Sequence, residues 1–318
     1  MVWQYQGESV NVTKNEITVR QTRDENKLIL RARDRSYQAA KLTQGIIVSL
    51  SIVLPVLGVL VGPLFPEVRP YVALASLVLL VLETALIDRV QKDRLKRGAK
   101  LQEQFDTDVF ELPWSKFVAG SHVEPEDVRA LSAKPLSAAR EGHFDTWYEP
   151  CVSQLPLHLA RLVCQRTNIS YDARLRRKYG GSLLFLTILF GVGLLFAGLA
   201  MGLKFPELVM TLFVPFMPVL TWALKERLQQ ANTAASLTCL GTEWNKIWKR
   251  ALGGASEAEV TGDSRDLQDA IYQHREHSPL IFDWVYYRLR ATNEDEAHHA
   301  AEDLVARAKK ALSEGAKL

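Results

Sequence analysis

Cysteine is scarce in this 318-residue chain. Its three thiols, Cys151, Cys164 and Cys239, form no CxxC pair and have no ligand-like histidine spacing beside them. That excludes a disulfide-stapled fold, and an odd count without partners reads as reduced, structural thiols. Glycine and proline, at 18 and 13 residues, are too sparse for a collagen-like chain, and 47% apolar content is too high for disorder. Catalytic signatures are missing too. There is no Walker loop, no GxSxG elbow and no dinucleotide fingerprint, and Gly191 and Gly193 sit inside an apolar run. The close histidine pairs, His274 with His277 and His298 with His299, lack an HExxH or companion carboxylate motif and read as surface residues. The expectation is a non-enzymatic protein with no catalytic residue, no metal and no cofactor. A net charge of +3 is no nucleic-acid signature, so no DNA or RNA polymer is expected as a partner.

The most informative scarcity is local. A mean hydropathy of −0.05 and 24% charge describe an ordinary soluble protein, yet Gly45 to Pro66 and Gly180 to Leu203 contain no charge at all. Four apolar runs emerge: Ile46 to Phe65, Pro70 to Asp88, Gly180 to Leu203 and Leu208 to Leu224, of 20, 19, 24 and 17 residues. Each is long enough to cross, or nearly cross, a hydrocarbon layer of about 30 Å. A soluble fold with buried core helices is the alternative, but such helices seldom read apolar around every face for so long. The remaining residues are strongly hydrophilic and carry all but two of the charges, Glu83 and Asp88.

Lysine and arginine set the orientation. Nineteen flank the runs on one side, in Lys27 to Gly45, Thr84 to Glu103, Ala160 to Tyr179 and just past Leu224, while the two tight loops hold Arg69 and Lys204. The positive-inside rule then predicts a multi-pass inner-membrane protein with both termini cytoplasmic. About 45 mostly polar residues precede the first run, which therefore reads as an uncleaved anchor. Five segments follow: 1–45, a first hairpin 46–88, a central cytoplasmic segment 89–179, a second hairpin 180–224 and a C-terminal region 225–318.

The hairpins share a pattern. Gly58, Gly62, Phe65, Pro66 and Glu67 match Gly198, Gly202, Phe205, Pro206 and Glu207 at a constant offset of 140. Two GxxxG faces predict close helix packing within the hairpins or between subunits, although glycine is common in membrane helices anyway. Pro55, Pro215 and Pro218 lie inside runs and predict kinks that serve bending or packing. Glu83, near the inner end of its run, either marks a pathway or snorkels to the headgroups. These residues are the candidate pore and gating positions. A wide aqueous channel would need several subunits, because the runs are too apolar to line one alone.

The cytoplasmic pieces read as mostly helical. Helices are expected from about Asn15 into the first run, out of the second through Phe105 to Pro113, and from Leu155 into the third. Further starts are expected at Glu124 with Pro125, Ser278 with Pro279, Asp263 with Ser264, and Asn293, and Val2 to Val12 hints at a strand. The expected fold class is an all-α membrane protein with four transmembrane helices in two hairpins and a mostly helical cytoplasmic domain. Polar and aromatic residues cluster in that domain. Trp114, Trp147 and Tyr148 could stack on a nucleobase, while Arg166, Asn168, Arg174, Arg265 and Gln268 could bond a phosphate or base edge. Arg174, Arg176, Arg177 and Lys178 serve equally well as lipid anchors for the third run, with the aromatics as core.

Gln102, Glu103, Phe105 and Asp106 are followed by Leu112-Pro113-Trp114, Trp147-Tyr148, Cys164-Gln165-Arg166, Asn168, Asp172, Leu175-Arg176-Arg177, Tyr179, Arg265 and Gln268-Asp269. In that order and spacing, from about Ile17 to Arg290, the chain resembles the SMODS-associating four-transmembrane effector family. The resemblance implies a membrane effector of CBASS anti-phage defence. Such an effector responds to a cyclic oligonucleotide from a partner nucleotidyltransferase by compromising the inner membrane, so that infection is aborted. It supplies no catalytic residues and no ligand contacts. The lipid bilayer, the cyclic oligonucleotide as activating ligand and a second copy of the chain in a homo-oligomer are the expected partners. A constitutive small-ion channel or transporter and a membrane-anchored scaffold are the rival readings. The first predicts ionisable groups at mid-bilayer, where only Glu83 and the prolines offer anything.

Overall fold

A computed structural model describes residues 14–82 and 88–315, and every regular element among them is helical. In chain order these are α1 (Ile17–Arg20), α2 (Asp24–Val61), α3 (Arg69–Leu82), α4 (Asp88–Phe110), α5 (Lys116–Ala119) and α6 (Pro125–Ser132). Then follow α7 (Ala138–Gly142), α8 (Leu157–Ala200), α9 (Phe205–Leu208), α10 (Val214–Leu252), α11 (Glu257–His277) and α12 (Asp283–Gly315). Among the described residues, three helices are long and apolar enough to cross a membrane: α2, α8 and the continuous segment Phe205–Leu252 that joins α9 to α10. The run over Pro70 to Asp88 is represented by α3, whose 14 residues end at Leu82. Glu83 lies outside the described residues, as does the strand expected over Val2 to Val12.

The long helices extend well past their apolar runs. At 1.5 Å per residue the 44 residues of α8 reach about 66 Å, roughly twice a hydrocarbon layer. Segment boundaries at 45/46, 179/180 and 224/225 therefore fall inside unbroken helices and mark a change of composition only. In the inner part, α4, α8, α10 and α11 enclose Phe105, Phe110, Phe144, Leu162 and Trp244. The Trp244 indole donates to the Leu162 carbonyl at 2.7 Å, so its polar end is satisfied inside the core. Cys164 is buried here, Cys151 is half-buried, Cys239 is exposed, and all three are free thiols.

Several helix starts differ from expectation. Helix α6 begins at Pro125 as expected, but α11 starts at Glu257, ahead of Asp263 and Ser264. The reason is a capping box, in which Ser256 accepts from the Glu259 N–H while the Glu259 carboxylate accepts from the Ser256 N–H at 2.8 Å. Pro279 starts no helix. Its carbonyl and that of Leu280 accept from Arg176 and Gln230, which holds 278–282 as a non-helical connector, so α12 begins at Asp283 and passes through Asn293.

The glycines of the two hairpins do different things. Pro215 supplies no N–H to the carbonyl four residues back, and the helix widens into a π turn over Val209–Phe213. The Thr211 carbonyl then faces the bare Cα of Gly58, where any Cβ would overlap it, and the Thr211 methyl stands 2.7 Å from a Cβ placed on Gly62. Gly58 and Gly62 thus join the first hairpin to the second. Gly198 packs on Leu208 within its own hairpin, whereas Gly202 adopts φ 75° with nothing within 4 Å of a Cβ. Gly202 is a turn residue, and the expected second packing face reduces to Gly198. Pro55, Pro215 and Pro218 are all buried between helices.

At the same end, Arg69 ties the hairpins together. Its Nε donates to the Gly62 carbonyl at 2.9 Å, and its Nη1 meets Glu207 at 2.9 Å. In detergent, Gly58→Ala is expected to lower the thermal midpoint by the equivalent of about 1–3 kcal/mol through overpacking against Thr211. Gly45→Ala, with no neighbour within 4 Å, should match wild type or exceed it slightly. Equal midpoints for the two variants would contradict the close approach.

Candidate ligand cleft

A cleft of about 820 Å³ opens where α2, α8, α11, α12 and the 143–150 segment meet. Its size falls among those of small-molecule sites, about 300–1,000 Å³. Arg33 and Tyr37 of α2, Arg140 of α7, Trp147, and Asn168 with Arg176 of α8 form much of its wall. The Arg33 guanidinium lies 4.7 Å from the centre of the Tyr37 ring and 5.0 Å from that of Trp147, and Arg140 lies 5.9 Å from Trp147. Planar cations stacked on aromatic faces suit a ligand that combines flat rings with acidic oxygens.

Each strong cation named here already has a carboxylate partner, with Arg33 and Arg140 sharing one. Asp34 receives Arg33 at 2.6 Å and Arg140 through two bonds, at 2.5 and 3.1 Å. Arg176 bonds Asp172 at 2.9 Å, Arg275 bonds Asp106 at 2.5 Å, and Lys41 bonds Asp283 at 2.5 Å. Burial works to raise the Asp34 carboxyl, but Arg33 and Arg140 outweigh it and hold the group below the usual range. Asp172 behaves alike: burial opposes ionisation, and Arg176 with His274 prevails.

Behind the cleft lies a polar network with almost no access to water. Asp106, fully buried, accepts from Gln102 at 2.7 Å, the Tyr148 hydroxyl at 2.6 Å, Gln268 at 3.1 Å and Arg275. Gln268 also donates to Glu103 at 2.8 Å and accepts from Gln165, which exchanges bonds with Ser264. Arg265 closes the network onto Glu103 and Asp269, each at 2.7 Å. Burial and the neighbouring Asp106 charge push Glu103 upward; burial and Asp106 do the same to the Tyr148 hydroxyl.

The expected ligand residues therefore divide. Trp147 and Asn168 line the cleft, and Asn168 donates to the Tyr148 hydroxyl at 3.3 Å. Tyr148, Arg265 and Gln268 belong to the buried network, where the Tyr148 hydroxyl, the Gln268 amide and the Arg265 Nη groups are committed to protein partners. Trp114 is elsewhere, stacked on His122 at 4.0 Å with its indole donating to Gly120. Arg166 lies over Trp244 at 5.4 Å, and Arg174 pairs with Glu296 at 2.5 Å. Among the histidines, His274 faces Asp172 at 3.8 Å and His298 meets Glu149 at 2.8 Å. Sequence reasoning missed Asp34, Tyr37, Lys41 and Arg140. The signal was a polar stripe at Asp34, Tyr37, Lys41 and Gln44, spaced three, four and three apart along one face of the helix entering the first run.

Removing Asp106 leaves the Arg275 charge buried alone. Asp106→Ala should cost about 3–5 kcal/mol in thermal or chemical unfolding, and adding Arg275→Met should restore part of it. No recovery in the double variant would contradict a charge-pair origin. Asp34 and Asp172, with folded values below 3.8, contribute stability that is present above about pH 4 and lost as the pH falls further. The unfolding midpoint should drop between pH 6 and pH 3, and drop less in Asp34→Asn.

Residues 15–304 match the family model of the SMODS-associating 4TM effector domain. The chain is also 26% identical over 286 residues to a probable CBASS effector molecule of Bacillus cereus (strain VD146), covering 87% of this chain and 94% of that one. No solved structure matches. The matched range takes in the long apolar helices, the cleft and the Asp106 network together, and on that extent the chain belongs to the SMODS-associating 4TM effector family.

Proposed function

We propose that this chain is a CBASS effector that makes the bacterial inner membrane permeable when a cyclic oligonucleotide occupies the cleft. The ligand comes from a partner nucleotidyltransferase, and the protein itself performs no catalysis. Family membership and the likeness to a probable CBASS effector molecule of Bacillus cereus support the effector reading. Four spans are proposed, with α3 in the second, and both termini and the cleft in the cytoplasm, an orientation that the distribution of lysine and arginine supports. Passage across the bilayer is assigned to a homo-oligomer, because the spans of one copy are too apolar to line a wide aqueous path.

One observation carries the coupling. Arg176, in the cleft wall, donates through Nη1 to Gln230 and to the Pro279 carbonyl, each at 2.8 Å. Gln230, fully buried on α10, donates in turn to Glu226 at 2.7 Å and to the Leu280 carbonyl at 3.2 Å. Helices α8 and α10 continue as the third and fourth spans, so this chain of bonds runs from the cleft to their inner ends. A phosphodiester that drew Arg176 away from its partners would release α10 and the 278–282 connector together. To move a two-state equilibrium from 1:99 to 99:1, the ligand must prefer the released state by about 5.5 kcal/mol.

Dye-loaded liposomes containing the purified protein test the reading with a panel of cyclic di- and trinucleotides. Ligand-dependent leakage is expected, and binding without leakage or depolarisation would refute the membrane role. Gln230 does not line the cleft, so Gln230→Ala should keep the intrinsic ligand contacts, and apparent ligand affinity should tighten roughly in step with the larger released population. Losing a charge-assisted bond should raise ligand-independent leakage roughly ten- to hundredfold. Unchanged basal leakage with a normal response would remove the Arg176 to Gln230 connection from the mechanism.

A further inference from the structure

Two side-chain oxygens in the cleft wall have a fixed direction and no donor. Gln102 of α4 lines the cleft and is 1% exposed. Its Nε2 donates to Asp106 at 2.7 Å, and its Oε1 has no hydrogen-bond partner among the described residues. The amide cannot be reversed, because Oε1 turned to the Asp106 carboxylate would set acceptor against acceptor. Asn168 of α8, also in the wall, is oriented one bond further along. The Tyr148 hydroxyl gives its proton to Asp106 at 2.6 Å, so its oxygen can only accept, and Asn168 must present Nδ2 to it, at 3.3 Å. No bond among the described residues reaches Asn168 Oδ1.

Both positions are acceptors. Asp34 and Asp172 of the same wall accept as well, but Arg33, Arg140 and Arg176 occupy them. A stacking surface belongs to this part of the cleft: Trp147 packs edge-on against Phe105, ring centres 5.8 Å apart, and Phe105 lies three residues past Gln102 on the same face of α4. A buried carbonyl oxygen without a donor destabilises the free protein, and a ligand N–H that reaches it recovers that loss. We propose that Gln102 and Asn168 read the base edge of the cyclic oligonucleotide by accepting hydrogen bonds from an exocyclic amine, so that the cleft selects adenine, guanine or cytosine over hypoxanthine or uracil. Where the first three carry the amine, hypoxanthine and uracil carry a carbonyl oxygen or, at the position of the guanine 2-amino group, a hydrogen on carbon. An oxygen there faces another acceptor and a C–H leaves the acceptor unpaired, so a site built for the amine rejects both.

The inference rests on the proposed function of the cleft, and the experiment separates the two. Full-length protein in detergent is titrated by calorimetry with cyclic di- and trinucleotides of adenosine, guanosine and cytidine. Each is paired with a counterpart of the same linkage in which inosine replaces adenosine or guanosine, or uridine replaces cytidine. The amino-bearing ligand that binds should do so at least about tenfold more tightly than its counterpart. Equal affinities would overturn the base-edge assignment and leave the cleft reading standing, whereas no binding by any member would overturn the cleft reading and this inference with it. Gln102→Met and Asn168→Leu should each lower the amino preference at least about threefold while the inosine or uridine ligand keeps its affinity within about twofold, which separates lost recognition from lost folding. Gln104→Met, on the opposite face of α4 and outside the cleft, should leave the preference unchanged. A preference that persists in both cleft variants would overturn the role given to Gln102 and Asn168.

Discussion

A carboxylate shut away from water organises the inner half of this protein. Asp106 on α4 is neutralised by Arg275 and bonded by Gln268, both on α11, and by Tyr148 from the segment before α8. An ionised group in that position is tolerable only when all these donors are present, which fixes the register of α11 against α4 and the path of residues 144–155. The cleft is a consequence. Its back wall is the outer surface of this network, and Arg275 contributes to both.

The Asp106 network also explains which parts of the molecule could be read from sequence. Apolar runs, their flanking lysines and arginines, and the continuation of helices across the run boundaries are local properties, carried by composition over some 20 residues. The polar and aromatic strings around Gln102, Trp147, Gln165 and Arg265 were visible as conspicuous residues. Whether such residues face a ligand or one another depends on contacts between positions more than 100 apart, such as Gln165 with Gln268. Arg265 and Gln268 turned inward for that reason, and Tyr148 did so through Asp106, 42 positions away. The pairing of Asp34 with Arg140 escaped notice because a charged pair separated by 106 positions leaves no local trace, even though Asp34 itself belongs to the polar stripe of its helix. The hairpin repeat misled in a similar way: identical letters at Gly62 and Gly202 sit in αR and positive-φ backbone, although both residues lie where a long helix gives way to a turn.

Electrostatically, the cleft is its own occupant. Its guanidinium groups are held by Asp34, Asp172 and Asp106, so an anionic ligand gains only the difference between its own bonds and those it displaces. That arrangement disfavours stray anions, which offer one bond where a bridging carboxylate offers two. It favours a ligand with several phosphates and flat bases, able to engage Arg33, Arg140 and Arg176 together while stacking on Trp147. Selectivity under the proposed function would arise from this competition, with discrimination built in before the ligand arrives.

The Arg69 tie at the far end has a mechanical meaning. With Gly62 and Glu207 held by one side chain, and Gly58 seated against Thr211, the two hairpins share a pivot there. Any relative rotation must then grow with distance from it. Over the roughly 66 Å of α8, a tilt of about 5° displaces the opposite end by about 6 Å, more than one helical turn. The molecule is built like a pair of tongs, and the largest travel falls where the chemistry that could drive it is located.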